Sequence, residues 1–353
     1  VNGHPVTDKE VVDAASAVQR IYTQGDPPTF FECATAMAFY HFAHAGVDVA
    51  VLETGMGGRF DATNLVHPEV AVITNVAVEH TEYLGRTLGR IAEEKAGIIK
   101  HGAGVVTGVK QPSALRVIQT QAEQNRVSLL RLGRDIRVRR YNDGRFSCRC
   151  AGYRWPRLEV GLFGRHQIDN AALALGVVGL LRKKGWGISD EAVDAGLKTV
   201  RWPGRLQVVR QHPLMILDGA HNPAAVRALC RFLKSERTWR RLSVVVGILK
   251  DKAWKSMLRD LADVCDTMIL TRPRYERAAD PRSFVSFVHN LNCPTTVADD
   301  VHTALSLAVK NVTVDDAVCV TGSLYTVGEA MACLDPETAT LAADIGALPR
   351  IHL

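Results

Sequence analysis

The chain has 353 residues, 47% hydrophobic and 23% charged, an ordinary globular composition with enough material for about two full cores. Its net charge of +6 is mild, and no aromatics interleave with its one basic cluster, RLGRDIRVRR (131–140), so that cluster reads as a solvated face or a site for a small anion rather than for nucleic acid. No apolar run reaches the ~20 residues of a membrane span, no stretch reads as a signal peptide, and the eight cysteines lack C-x-x-C spacing, so the expectation is a cytoplasmic protein with free thiols.

Apolar runs alternate with amphipathic segments along the chain. Helices are expected over 8–22 and 29–45, then a strand over 47–53 (VDVAVLE) that ends at Glu53. A strand over 70–75, a helix over 86–99, a strand over 104–108 and a helix over 112–125 follow. Residues 127–162 break the alternation: IRVRRYNDGRFSCRC alternates in polarity around Asn142-Asp143-Gly144, which reads as a hairpin turn in a small β excursion. Helices over 166–184 and 189–199 lead to RWPGR (201–205), a linker by its Pro203-Gly204. Beyond it a second βα series carries strands over 214–218, 243–247, 266–271, 295–298 and 316–321. The fold class is therefore α/β, with a mostly parallel sheet domain over 1–203 and a smaller, doubly wound, Rossmann-like domain over 204–353.

Three groups qualify as a metal site. Glu53 and His80 each follow an expected strand, and ligands of open α/β sheets bind outside the carboxyl ends of strands. Lys95 shares a helix face with Leu88, Ile91, Ile98 and Ile99, where an unpaired lysine is unusual. Taken singly, these are a solvated glutamate, a hydrogen-bonded loop histidine and a snorkelling lysine. Taken together they suit magnesium, provided that a desolvated Lys95 adds carbon dioxide to become a carbamate. Glu93 and Glu94 read as helix-surface partners of Arg90 and Arg86. Phe30 and Phe31, opening a helix, read as core or as a platform for a flat ring.

Seven stretches then occur in order: PTFFE (28–32), VLETGMGGRFDATN (51–64), TNVAVEHTEYLG (74–85), EKAGIIK (94–100), GRHQIDNAALAL (164–175), WPGRLQ (202–207) and DGAHNP (218–223). Together they resemble the folylpolyglutamate synthase/dihydrofolate synthase family, a branch of the Mur-type ATP-dependent amide ligases, from the first residues to about TGSLYTVGEA (321–330). The resemblance implies a Mur-ligase central domain and a ligase that activates a carboxylate as an acyl phosphate, for attack by the amine of L-glutamate. It implies ATP and Mg2+ as cofactors, with dihydropteroate, a reduced folate or both as acceptor, in a monomeric cytoplasmic enzyme. By motif match, Glu53, His80 and carbamylated Lys95 serve the metal. Gln167 and Asn170 serve the adenine, Arg205 the phosphates, and Asp218 and His221 the region of ATP and glutamate. The plain reading of His221 is a partner in the helix start at Asn222-Pro223. The glycines of GMGGRFDATN would let that loop follow the ligand.

One element of the family pattern is missing. No G-x-x-x-x-G-K-[ST] phosphate loop occurs, and the chain opens VNGHPVTDKE without a methionine. The expectation is that a preceding segment carries the loop and a strand of the first sheet, so that these 353 residues alone do not ligate. The alternatives are a non-catalytic folate-binding protein without a phosphate loop, or another Mur-type ligase.

Overall fold

The computed structural model describes residues 1–21, 27–310 and 312–334, which form two compact units. Residues 1–160 and 168–199 make the first, and residues 161–167 together with the chain from Val200 make the second.

The first unit opens with α1 (Asp8–Ile21) and α2 (Phe30–Ala45). The stretch PTFFE starts α2 through a capping box: Thr29 Oγ1 accepts from Glu32 N, and the Glu32 carboxylate accepts from Thr29 N. The sheet is β1 (Val70–Ile73), β2 (Gly104–Thr107) and β3 (Leu129–Arg131), all parallel in that spatial order. Between the first two strands lie α3 (Thr81–Leu84) and α4 (Leu88–Ala96), and α5 (Pro112–Gln124) connects β2 to β3. Strand β2 is buried on both faces. Val105 points into a cluster with Ile91, Ala96 and Ile118 of the helices, and Val106 into another with Ile136, Phe146 and Trp155. The second cluster roofs an antiparallel meander of β4 (Arg137–Arg140), β5 (Phe146–Cys150) and β6 (Tyr153–Leu158), together with α6 (Arg165–Lys183) and α7 (Asp190–Thr199).

The turn at Asn142-Asp143-Gly144 joins β4 to β5, with Tyr141 N donating to Arg145 O across it. The excursion is shorter than 127–162, because β3 pairs with β2 and belongs to the parallel sheet.

The expected strand over 47–53 does not form. The segment finds no ladder partner among the described residues, and Val51 stands 93% exposed. An apolar run signals burial, but a strand also needs a neighbour to take its backbone groups. The same side of the chain leaves α2 thinly covered: only Thr35 is buried on it, and Phe30 is 88% exposed, so the core reading fails for that ring.

The second unit carries six strands in the order β11-β10-β9-β12-β8-β7. They are β7 (Gln207–Gln211), β8 (Leu214–Leu217), β9 (Leu242–Gly247), β10 (Thr267–Thr271), β11 (Thr295–Val297) and β12 (Ala317–Thr321). All pair in parallel except β7, an antiparallel edge strand that the sequence did not announce. Helices α8 (Pro223–Ser235), α9 (Trp254–Ala262) and α10 (Val285–His289) cover one face, packing Leu229, Leu258 and Val288 with Val244 and Val246. Helices α11 (Val301–Lys310) and α12 (Leu324–Leu334) cover the other, packing Leu305 and Val327 with Val245 and Val318. Alternate residues of β9 therefore feed opposite cores, as a doubly wound sheet requires.

Candidate active site

In the first unit the three metal candidates lie on segments that pack together around α4. Arg59, six residues past Glu53, donates its backbone N–H to Glu94 O over 2.8 Å, one residue from Lys95. Gly58 sits so close to this turn that a Cβ there would lie 2.9 Å from Glu94 O and 3.0 Å from Lys95 O. The glycine-rich loop is thus shaped first by its approach to helix backbone, a nearer cause than a ligand. Asp61 and Asn64 of the DATN stretch fix the loop. The Asp61 carboxylate accepts from Met56 N, Thr63 N and Thr63 Oγ1, while Asn64 Nδ2 donates to Arg59 O and Gly97 O. Burial alone would raise the Asp61 pKa, but these hydrogen bonds outweigh it and hold the carboxyl below the usual range.

Glu53 and His80 are both exposed. His80 starts α3 with φ +49°, a left-handed backbone that costs a non-glycine residue energy, and its side chain makes no cap bond. Lys95 is half-buried, with its Nζ 4.0 Å from Glu79 Oε1, a partner that the sequence reading did not include. Ile91 and Ile99 on its face are fully buried, so the lysine sits at the stripe's edge with its head toward a carboxylate. Glu93 pairs with Arg90 at 3.3 Å as expected, but Glu94 pairs with Arg59 at 4.0 Å rather than with Arg86, which precedes the cap residue Thr87 and lies off the helix. Among the described residues no group of three or more His, Cys, Asp or Glu side chains is gathered to hold a metal. Mg2+ takes one or two protein ligands and fills its sphere with waters and phosphates, so a site for it does not require a gathered group of three.

On α6, Gln167 is buried and Asn170, three residues on, is exposed.

In the second unit the site candidates meet at the carboxyl ends of the parallel strands. Asp218 follows β8, is 8% exposed, and accepts from Leu206 N (2.9 Å) and Ala220 N (3.0 Å). Gly219 N donates to Gly204 O over 2.7 Å, so the turn carrying Arg205 is tied to the strand tip from both sides. His221 Nδ1 lies 2.9 Å from Gly219 O, so that nitrogen carries the proton and Nε2 is left as the acceptor. Asn222 caps α8 through Ala225 N and Pro223 opens it, so the helix start does not use the His221 ring. Burial pushes the Asp218 pKa up, and the two N–H donors with the nearby charge of Arg205 only partly offset it.

Three further groups belong to this edge. Gly322, after β12, has φ +105° and no room for a Cβ, which would fall 2.6 Å from Gly247 O at the tip of β9. Ser323 and Thr326 are buried beside it, joined at 2.8 Å, with Thr326 Oγ1 donating to Gly247 O. The buried Thr271 hydroxyl, at the tip of β10, has no hydrogen-bond partner among the described residues. The signal was present in TGSLYT, a small polar cluster directly after an apolar run.

A parallel-sheet unit followed by a doubly wound unit with Asp218, Arg205 and His221 at the carboxyl ends of its strands is the architecture of a Mur-type ligase. Residues 9–178 match the family model of the Mur ligase middle domain, and residues 204–324 that of the Mur ligase glutamate ligase domain. The chain is 35% identical over 342 residues to the dihydrofolate synthase/folylpolyglutamate synthase of Bacillus subtilis, covering 93% of this chain and 79% of that protein. It superposes on Escherichia coli FolC in complex with DHPP and ADP with a TM-score of 0.85 and 30% identity, over 94% of this chain and 77% of that one. On the Yersinia pestis bifunctional folylpolyglutamate synthase/dihydrofolate synthase complexed with AMPPNP and Mn ion the TM-score is 0.82 at 32% identity, over 93% and 76%. The chain belongs to the folylpolyglutamate synthase/dihydrofolate synthase family of Mur ligases. No helix among the described residues is long and apolar enough to cross a membrane.

Proposed function

We propose that this chain carries the ligase chemistry of an ATP-dependent amide synthase that joins L-glutamate to dihydropteroate, to a reduced folate, or to both. The observation that carries this reading is the strand-tip group of the second unit. A buried Asp218 with a raised pKa stands beside Arg205 and His221, within the segment that matches a glutamate ligase domain. Asp218 holds the Gly204–Leu206 turn through Leu206 N and so aims Arg205, whose fork suits phosphate oxygens. His221 Nε2 is left to accept a proton or a hydrogen bond, such as one from the incoming amine.

Residues 1–203 form the ATP- and folate-binding domain in this reading, and residues 204–353 the glutamate-ligase domain. Gln167 and Asn170 read the adenine. Glu53, His80 and a carbamate on Lys95 hold Mg2+, which supplies charge neutralisation at the phosphates. Carbamylation would reverse the charge at Lys95 and set it beside Glu79, and two adjacent anions call for a cation. The enzyme acts as a monomer in the cytoplasm, without nucleic acid. Nothing observed favours a binding-only protein, which has no use for a half-compensated buried carboxylate.

The test supplies the full open reading frame with ATP, Mg2+ and labelled glutamate, offering dihydropteroate and tetrahydrofolate separately. Label should enter at least one acceptor, and Asp218→Asn should reduce the rate by about 10²-fold or more. No incorporation with either acceptor, with ATP bound normally, would overturn the assignment. Labelled bicarbonate recovered on Lys95 would support the carbamate; a bare ammonium in the Mg2+-loaded, substrate-bound enzyme would refute it.

A further inference from the structure

At the opposite, amino-terminal end of the second unit's sheet, two thiols that the ligase reading does not use face each other. Cys265 lies in the turn from α9 to β10, and Cys293 in the loop from α10 to β11. They are 28 residues apart in sequence, and their Sγ atoms are 3.6 Å apart. We propose that Cys265 and Cys293 are a redox modification site, oxidised by a hydroperoxide to a reversible disulfide that staples β10 to the edge strand β11.

The backbone suits this bond. Strands β10 and β11 run parallel with Met268 opposite Thr295, and Met268 N donates to Pro294 O over 2.8 Å. Counting back from that pair brings Cys293 beside Asp266, the neighbour of Cys265. With strands about 4.8 Å apart and about 3.3 Å of rise per residue, this one-residue diagonal spans about 5.8 Å, inside the Cα range of about 4.4–6.8 Å that a disulfide bridges. The sulfurs need only close from near van der Waals contact to bonding distance, a side-chain adjustment. Cys148 and Cys150, two residues apart on one strand face, have no such cross-strand arrangement.

A small oxidant can reach the pair. The sulfurs lie at the end of the sheet and are not sealed in the core: Cys265 is half-buried and Cys293 is 7% exposed. The hydrogen bond from Cys265 lowers the Cys293 pKa and raises its own, so Cys293 is the thiolate that attacks. Its sulfur takes the distal oxygen of the peroxide, the O–O bond breaks, and hydroxide leaves with Cys293 as the sulfenic acid. The Cys265 sulfur then displaces hydroxide from the sulfenic sulfur, and the S–S bond forms. The two hydroxides take the two thiol protons, so two thiols and one hydrogen peroxide give one disulfide and two waters.

The experiment treats the full-length protein with stoichiometric hydrogen peroxide, alkylates the remaining thiols and maps the peptides without reduction. A peptide linked through Cys265 and Cys293 should appear, the free thiols of this chain should fall from eight to six, and dithiothreitol should reverse both changes. The thermal midpoint of the second unit should rise with oxidation and return with reduction. In Cys265→Ser the linked peptide and the shift should both vanish. Recovery of Cys265 and Cys293 as free thiols or as sulfinic acids, or linkage of either to another cysteine, would overturn the proposal; the wild-type map decides this even if the variant folds poorly.

Discussion

Two aspartates are buried at opposite ends of one sheet, and their surroundings push them in opposite directions. Asp316, at the amino end of β12, is 0% exposed. It is gripped by Arg241 at 2.9 Å and by Thr313 N and Oγ1, which hold its carboxyl well below the usual carboxylate range. Asp218, at the carboxyl end of β8, has two backbone donors and the more distant charge of Arg205, and burial prevails to push its pKa up. Arg241 lies across the sheet from β8's tip, at the start of β9, so the compensated acid has its own dedicated cation. A carboxylate that only holds a fold is worth keeping when it is fully satisfied; one left short of partners marks a place where a ligand completes the set.

The largest effect is expected at Asp218 itself. Asp218→Ala strands the N–H groups of Leu206 and Ala220, at about 1–3 kcal/mol for each donor left bare. Urea titration should show the second unit losing several kcal/mol, about the sum of the two donors, and glutamate incorporation should cease.

Asp316→Asn comes next, and its pH profile sharpens the contrast. The depressed pKa of Asp316 lends stability that is fully present above the ordinary aspartate value of about 3.9 and is lost as pH falls through the folded value. The raised pKa of Asp218 works the other way: stability declines as pH rises from about 3.9 through the folded value. Relative to wild type, Asp316→Asn should therefore lose stability as pH rises in the window below about 3.9, and Asp218→Asn should gain as pH rises above it. Denaturation midpoints measured across acid pH would break the comparison if both differences sloped the same way.

Gly58→Ala tests the loop of the first unit. Its methyl would meet two carbonyl oxygens of α4, which have no flexible end to yield, so about 1–3 kcal/mol should be lost with the loop displaced from Lys95. His80→Ala should be the smallest, within about 0.5 kcal/mol of wild type, since the exposed ring makes no cap bond. Turnover should nonetheless fall about 10²-fold or more if the ring serves the metal.

These residues differ in how far the sequence discloses them. The strands of the second unit were legible because parallel strands buried on both faces are continuous apolar runs, as in AVCVT and LSVVVG. Strand β7, QVVRQ, was not, because an edge strand with polar ends has neither an apolar run nor a clean alternation. The segment 47–53 misled for the converse reason: VDVAVLE carries the composition of a buried strand, but composition does not name the partner. Asp218, His221 and Arg205 stood out only through the resemblance carried by WPGRLQ and DGAHNP; no periodicity or spacing of their own marked them. Glu79 and Thr271 did not stand out, because an ion-pair partner and an unpartnered hydroxyl have no periodicity; only coordinates reveal them. The capping box in PTFFE and the Asp61–Asn64 stitching show that stretches carrying a family resemblance can be fold-forming rather than ligand-binding.

On this reading Asp218 serves the chemistry and Asp316 the fold. The direct measurement is ATP-dependent glutamate incorporation per folded molecule, with the folded fraction of each sample taken from its own denaturation curve, for Asp218→Asn and Asp316→Asn side by side. Asp316→Asn should keep wild-type turnover per folded molecule while Asp218→Asn loses about 10²-fold or more; wild-type turnover in folded Asp218→Asn would show that its carboxylate serves only the fold.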